Sequence, residues 1–344
     1  MGIKQASQTR YIYEIHDNFT FKQTEYYVTF EDTVFEEGTF RYVYKGIIKN
    51  KEGKPTKPDL FPNEKCTVKI YKNKEYDAND FIKDLNNYYY SRNVSSIFNL
   101  KYKDLKFIPK FNYIPTYVTS LEKYSTYNLF YFFPIRDSDQ MKKIKEKEWI
   151  TIEPFLGGKF EKFINNNCIQ KYGTDESIVL FMHWNWVYSK GKSLICDIQG
   201  EEKYYSYELT DPAVQSIDKE YGESDLGPCS LINFLINHQH NELCKDLPWP
   251  NMDDMDKLNE LRHDMYIIQS SGAYSYCKNY KNLYQEIIDS TFNKTSSDSG
   301  MNIPIILFII IVIFLILLII FRRYMKKRKK KEKQLIRLIP MEEV

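Results

Sequence analysis

Residues 193–212 read "SLICDIQGEEKYYSYELTDP". A four-residue apolar run ends at Asp197, with Gln199 and a glycine behind it, and a second acid, Asp211, stands before a proline. A strand end holds side chains more rigidly than a loop does. Asp197, Gln199 and Asp211 are hard oxygen ligands of the kind Mg²⁺ takes, with phosphate oxygens and water filling its shell. Phosphoryl transfer asks the protein mainly for positioning and charge neutralisation. A plain structural turn would account for the same residues, so other stretches must decide.

Upstream, "FEEGTFRYVYKG" (35–46) sets Gly38 and Arg41 between two strand-like runs. Glycine allows close backbone approach to a phosphate and Arg adds a planar cationic fork, although a hairpin turn wants the same glycine. "CTVKIY" places Lys69 in a strand between apolar neighbours, where a lysine suits phosphate contact and an edge strand suits it equally. "TIEPFLGGKFEKFINNN" (151–167) runs from a strand through Glu153 and a glycine pair into an Asn run, like a connector between lobes facing a flat base. "YGESDLG" (221–227), bracketed by Gly222 and Gly227, enters an apolar helix-like run; backbone N–H groups there can hold an anion or a peptide.

His183, His238, His240 and Cys244 are borderline or soft metal ligands. The four-residue spacing of His240 and Cys244 predicts a shared helix face, within a helix over 230–245. Four N/S ligands without an open position would make a structural zinc, and a packed core histidine at 183 remains open on spacing alone.

Short alternating runs such as "YYVTF" and "FRYVYKGII" predict antiparallel strands in the first half. Helical runs such as 176–186 mix with short strands in the second. A β-rich front (1–150) and a mixed α/β back (151–250) predict two lobes about a cleft, followed by a helical extension (251–292) and a polar linker, "NKTSSDSGMN" (293–302). Residues 303–321, "IPIILFIIIVIFLILLIIF", lack any charge. As a helix they would span roughly 28 Å at ~1.5 Å per residue, so a C-terminal transmembrane helix is expected.

The tail 322–344 carries ten Lys or Arg against three acids, +7, which leaves the other residues at −5 within the net +2. A slightly acidic body gives no general electrostatic footprint for nucleic acid, so no nucleic-acid partner is expected. The six cysteines, without a C-x-x-C pair, predict buried thiols and one metal ligand rather than a disulfide scaffold. The N-terminal "MGIKQASQTRYIYE" has no apolar core for a signal peptide, and Ala6 stands where a myristoylation motif wants Ser or Thr. Three N-x-S/T triplets, at Asn18, Asn93 and Asn293, are no more than an Asn-rich chain gives by chance.

Taken in order, the motifs resemble the alpha-kinase family: the myosin heavy chain kinases, elongation factor 2 kinase and the kinase domains fused to channels. Gly38-Thr-Phe-Arg41, Val68-Lys69, Glu153 to Phe160, the Asn165–Asn167 run, His183, Asp197-Ile-Gln-Gly200, Leu209 to Pro212, Gly222 to Gly227 and the His/Cys set follow the family's order over roughly 30–250. The HRD and DFG motifs of conventional protein kinases are absent. The resemblance implies an α+β, two-lobed atypical protein kinase with a structural zinc, transferring the γ-phosphate of Mg-ATP to Ser/Thr hydroxyls of protein substrates. It implies that Arg41 and Lys69 meet ATP phosphates beside Gly38, and that the segment at Glu153 holds adenine. Asp197 would orient or deprotonate the acceptor, Gln199 and Asp211 would hold Mg²⁺, and the Gly222–Gly227 loop would engage substrate. His183, His238, His240 and Cys244 would hold Zn²⁺.

Three departures stand out: a longer segment between Gly200 and Leu209, Ser224-Asp225 where Gly or Ala and Asn are common, and His240 in place of a cysteine ligand. A catalytically silent pseudokinase that scaffolds partners at a membrane is the alternative. The basic tail argues for a cytoplasmic C-terminus. The need for ATP, the unpaired thiols and the lack of a leader argue instead for a cytosolic kinase body on a C-terminal anchor, and that is the expectation.

Overall fold

The computed structural model describes residues 6–9, 13–15, 21–23, 26–50, 65–72, 78–123, 147–251 and 255–292. Residues 1–288 form one compact unit, and a second unit begins at Asp289.

Its strands are β1 (Ala6–Thr9), β2 (Tyr13–Ile15), β3 (Phe21–Gln23), β4 (Tyr26–Glu37), β5 (Arg41–Asn50), β6 (Lys65–Tyr71), β7 (Lys110–Tyr113), β8 (Tyr117–Lys123), β9 (Trp149–Pro154), β10 (Phe160–Lys162), β11 (Ser193–Cys196), β12 (Gln199–Lys203), β13 (Ser206–Thr210) and β14 (Ala213–Ser216). The helices are α1 (Ala78–Lys101), α2 (Glu176–Tyr188), α3 (Pro228–Asn237), α4 (Met255–Ser271) and α5 (Lys281–Phe292), with a 3₁₀ segment at Tyr274–Tyr280.

The front is an antiparallel eight-stranded sheet in the order β1-β4-β5-β6-β9-β8-β2-β3, and β1 also pairs with β8, so the sheet curls on itself. Period-two alternation buries one side of β6 (Cys66, Val68, Ile70) with Val28, Phe30, Tyr44, Ile48, Leu121 and Ile152. Strand β9 belongs to this sheet, so the expected lobe boundary at residue 150 falls within a sheet strand. Behind it lie a four-stranded sheet, β10-β12-β13-β7, and a two-stranded sheet, β11-β14.

Helix α1 joins these parts. Phe81 and Leu85 pack with Tyr71 and Val118 of the curled sheet. A few turns on, Phe98 meets Phe111 and Phe181 edge-to-face, with ring centroids 5.3 and 5.1 Å away. Helix α2 is buried from Ser177 to Trp186; Asp175 caps it by accepting from Ser177 N at 2.8 Å.

Several expectations change. The helix forecast over 230–245 ends at Asn237, because His238 is extended (φ −64°, ψ 129°). His240 and Cys244 therefore sit in the turns beyond it rather than on one helix face. The longer segment after Gly200 is a hairpin: β12 and β13 pair from Gln199↔Thr210 to Lys203↔Ser206, with Tyr204 and Tyr205 at its exposed tip.

Four of the six cysteines are not thiols. Cys168–Cys196 and Cys229–Cys277 are disulfides with Cα atoms 5.1 and 5.3 Å apart, which leaves Cys66 and Cys244 free and buried. Spacing could not reveal these pairs, because folding brings residues 28 and 48 apart in sequence together. Residues 255–288 are largely helical and are fixed to the rest of their unit. Cys277 ties them to α3, and the Tyr284 hydroxyl accepts from Trp186 Nε1 and donates to the Gly191 carbonyl. The apolar stretch 303–321, the linker and the basic tail lie outside the described residues. Among the described residues no helix is long and apolar enough to cross a membrane.

Candidate active site

A cleft of about 630 Å³ opens between the curled sheet and the β11–β14 region, lined among others by Gly38, Arg41, Lys69, Asp197, Gln199 and Asp211. Lys69 faces Thr151 of β9 and Val43 of β5 across the sheet. Only 4% of its side chain is exposed, and Nζ lies 2.5 Å from Glu153 Oε2 and 2.6 Å from Asp211 Oδ2. Thr210 completes the knot: its hydroxyl accepts from Lys69 at 3.1 Å and donates to Glu153. Glu153 also accepts from the Thr116 hydroxyl. The Glu153 side chain is thus the buried counter-charge of Lys69, which leaves only the backbone of its segment to meet a base. Removing either member would strand a buried charge.

Asp197 and Asp211 both adopt the left-handed backbone, φ 51° and 47°. That conformation is costly for residues with a Cβ, and it turns each side chain out of its strand end. Asp211 Oδ1 accepts from the Tyr88 hydroxyl at 2.8 Å and lies 3.5 Å from Arg41 Nη1. Burial pushes its carboxyl up, but Lys69, Arg41 and the hydrogen bonds from Lys69 and Tyr88 outweigh that and hold it far below the usual range. Asp197 shifts the other way. Burial raises it and nearby Asp211 adds to the rise, against the lowering effect of Lys162, whose Nζ is 2.7 Å from Asp197 Oδ1. Gln199 Nε2 donates weakly to Asp197 Oδ2 at 3.3 Å and to the Asp211 carbonyl at 3.4 Å, so one amide spans both acids. Two carboxylates in one cleft are therefore driven apart in basicity, with Asp211 a firm anion and Asp197 the better proton acceptor.

Glycines mark the close approaches. A Cβ on Gly200 would come within 2.1 Å of the Glu208 carbonyl oxygen. Gly222 has φ +86°, and a Cβ there would stand 2.8 Å from Asp84 Oδ1. Around Asp225, which replaces the common Asn, the 222–227 loop is held firmly. Asp225 accepts from Ser216 N at 2.9 Å, from the Ser216 hydroxyl at 2.6 Å and from Gly227 N at 3.0 Å. Gly227 is the N-cap of α3, and Ser224 reaches the cleft wall.

Helix α1 supplies groups that the sequence reading did not name. Asn87 Nδ2 donates to the Pro212 carbonyl at 2.6 Å, and Asn87 Oδ1 accepts from Val214 N at 2.9 Å. Tyr88 bridges Arg41 and Asp211. Asp84 is 3% exposed, with Oδ2 4.0 Å from Arg41 Nη2. Burial pushes its carboxyl up to about 6, with Arg41 opposing and Asp211 and Glu223 adding. The available signal was an acid within the apolar stripe Phe81–Leu85–Tyr88.

His183, His238, His240 and Cys244 converge elsewhere in the fold, with ligand atoms all within 4.8 Å of one another. Cys244 Sγ is 3.7 Å from His238 Nε2 and 3.9 Å from His240 Nδ1. Zn–S of 2.3 Å and Zn–N near 2.0–2.1 Å around a tetrahedron would set such edges at about 3.6 Å. His183 Nε2 lies 3.1 Å from the Pro248 carbonyl, which leaves its Nδ1 buried without a hydrogen-bond partner. Burial holds His183 down at about 4 and His238 at about 2, so both rings are neutral, as metal ligands must be. Trp249 covers the three rings at centroid distances of 4.6–5.0 Å. The donor set and its spacing fit a tetrahedral ion.

A curled antiparallel sheet, a helical back part and this cleft define an atypical protein kinase architecture. The sequence model of the alpha-kinase family matches residues 36–244, more than half the chain, and the protein belongs to that family, whose members are protein kinases. It is 36% identical over 111 residues, 31% of this chain, to alpha-protein kinase vwkA of Dictyostelium discoideum, of which that covers 18%. With alpha-protein kinase 1 of the same organism it shares 27% identity over 224 residues, 64% of this chain and 14% of that one. Over 114 residues it is 33% identical to human transient receptor potential cation channel subfamily M member 6, covering 30% of this chain and 5% of the channel. The chain thus spans less than a fifth of the length of these relatives. Among solved structures, an alpha kinase from Entamoeba histolytica superposes with a TM-score of 0.54 at 22% identity, over 72% of this chain and 94% of that one. The alpha-kinase domain of myosin-II heavy chain kinase A in complex with AMP-PNP does so with 0.52 at 20% identity, over 72% and 98%. The fold is the alpha-kinase fold.

Proposed function

We propose that this chain is an active alpha-type protein kinase that transfers the γ-phosphate of Mg-ATP to Ser or Thr hydroxyls of protein substrates. The observation that carries the proposal is the convergence of Arg41, Lys69, Asp197, Gln199 and Asp211, drawn from four separated stretches, on one cleft. A nucleotide in a structural neighbour, AMP-PNP on the myosin-II heavy chain kinase A domain, supports ATP as the occupant. Lys69 and Arg41 neutralise phosphate charge. Gly38 lines the cleft in an ordinary backbone conformation, with nothing nearer than 3.6 Å to a Cβ built there, so its own fold does not demand glycine and phosphate approach gives it a reason. Backbone groups from Pro154 to Gly157, at the cleft wall, face the base. Asp211 and Gln199 would hold Mg²⁺, which supplies charge neutralisation at the phosphates when bound. Asp197 accepts the proton of the acceptor hydroxyl as its oxygen bonds to the γ-phosphorus and ADP departs. The 222–227 loop presents the substrate backbone, and a structural Zn²⁺ on His183, His238, His240 and Cys244 fixes α2 against the turns after α3. The test is transfer of labelled γ-phosphate by wild type and by Asp197→Ala. Wild-type transfer that falls about 10²–10⁴-fold in the variant is expected. A folded, nucleotide-binding wild type as silent as the variant would overturn activity and leave the scaffold alternative.

We further infer that residues 303–321 anchor the chain in a membrane. Four cysteines paired as disulfides remove the thiol argument for a cytosolic body, because such bonds persist in oxidising compartments. The charge rule points the same way, with the tail at 322–344 in the cytoplasm and the kinase body on the opposite side. Protease added to sealed cells or vesicles of plasma-membrane orientation, or to intact microsomes after permeabilisation only, reports the side. Digestion of the body in a compartment continuous with the cytosol would overturn this orientation.

A further inference from the structure

The disulfide nearest the catalytic centre has a place that a mere staple would not need. Cys196 is the last residue of β11 and directly precedes Asp197; Cys168 closes the turn that follows the Asn165–Asn167 run. Both cysteines are buried, at 0% and 1% exposure. One backbone oxygen connects the two sides again: the Asn165 carbonyl accepts from Cys168 N at 3.0 Å and from Asp197 N at 3.2 Å. Asn165 Oδ1 braces the same turn by accepting from Asn167 N and Ile169 N, each at 3.0 Å.

The turn and the strand end share a second property. Cys168 (φ 61°) and Asp197 (φ 51°) are both left-handed, a conformation that persists in residues with a Cβ only where the surroundings over-determine it. The bridge joins one left-handed residue to the immediate neighbour of the other. The region also reaches the substrate loop. Gln215 Nε2 donates to Asn166 Oδ1 at 2.7 Å and to the Ser224 carbonyl at 3.0 Å, while Gln215 Oε1 accepts from Leu226 N at 2.6 Å. Displacement of the turn would therefore be felt at Asp197 and at the 222–227 loop together. By contrast, the nucleotide-side groups Lys69, Glu153 and Asp211 are tied to one another.

We propose that the Cys168–Cys196 disulfide is a positioning element for Asp197, so that phosphoryl transfer by this chain depends on that pair being oxidised. The inference rests on Asp197 being the catalytic carboxylate. Its effect falls on turnover rather than on nucleotide binding, because small misplacement of a reacting group is costly in rate.

The test compares the full chain in detergent as wild type, Cys168→Ser/Cys196→Ser and Cys229→Ser/Cys277→Ser, each assayed well below its own Tm. Expected is a fall in kcat of about tenfold or more for the first variant, with KM for ATP within about twofold of wild type. The second variant loses Tm without that selective loss of kcat. If the first variant does not fold, folded wild type is reduced with a phosphine, which takes the disulfides to thiols and becomes phosphine oxide, and the thiols are capped with a small alkylating reagent. The same treatment of Cys229→Ser/Cys277→Ser, set against capping without reduction, which can reach only the free Cys66 and Cys244, isolates the Cys168–Cys196 contribution, and the same selective fall in kcat is expected. Unchanged kcat after the pair is opened, a parallel change in KM, or non-reducing peptide maps of active wild type without the Cys168–Cys196 bond would each overturn the proposal. A silent wild type is a different result: it removes the kinase reading itself and the positioning role with it.

Discussion

The cleft and the His/Cys cluster handle buried polar groups in opposite ways. In the cleft the central charges are paired: Lys69 lies between Glu153 and Asp211, and Arg41 rests on the Tyr88 hydroxyl and Asp211. In the cluster, burial drives the rings neutral, and His183 Nδ1 faces three other donor atoms without a proton to share. A satisfied, charge-balanced cleft can exchange ligands by trading one counter-ion for another. Four nitrogen and sulfur ligand atoms within 4.8 Å of one another suit a held cation, the reading proposed above. On the proposed function, the first region exchanges its ligand and the second holds one.

The largest effect that could break this contrast is at the cluster. His238→Ala removes one ligand and opens the site, so the chain is expected to lose several kcal/mol of stability and to fold poorly. Thermal melts with and without added zinc check this, and an unchanged Tm would mean that the cluster is only a packed aromatic nest.

A smaller effect separates structural from chemical charge in the cleft. The Asp84 carboxyl is raised from 3.8 to about 6, about 3 kcal/mol at ~1.4 kcal/mol per unit. The folded chain then binds the proton more tightly than the unfolded chain, so stability is highest below the unfolded value and falls as pH rises through the folded one. Asp84→Asn, which cannot ionise, should therefore gain stability relative to wild type between about pH 4 and about pH 6 and hold that gain above. Denaturant melts across that window measure the difference; a pH-independent difference would mean that Asp84 is ionised throughout.

Much of the site was legible in the sequence because its motifs are local. Asp197, Gln199 and Asp211 lie on a strand end and the return of one hairpin, and Gly222 to Gly227 is a single loop. The order of such blocks was enough to name the family. What escaped depends on contacts distant in sequence. The acid on α1, Asp84, matters only because residues 41 and 222 fold over it. The segment at Glu153 reads as a connector from its strand, yet only the folded sheet shows that the Glu153 side chain pairs with Lys69. The disulfides were misread as thiols because no short spacing marks them. His240 and Cys244 come together by turns beyond α3 rather than on the helix face their spacing suggested.

The most direct measurement is made on one sample: metal content of the purified full chain before and after dialysis against a chelator, followed by γ-phosphate transfer on return of Mg-ATP alone. A cleft that exchanges and a cluster that holds predict about one zinc per chain surviving dialysis, magnesium stripped, and transfer fully restored by Mg-ATP. Loss of zinc with transfer intact, or retained zinc with no transfer once Mg-ATP returns, would contradict the account.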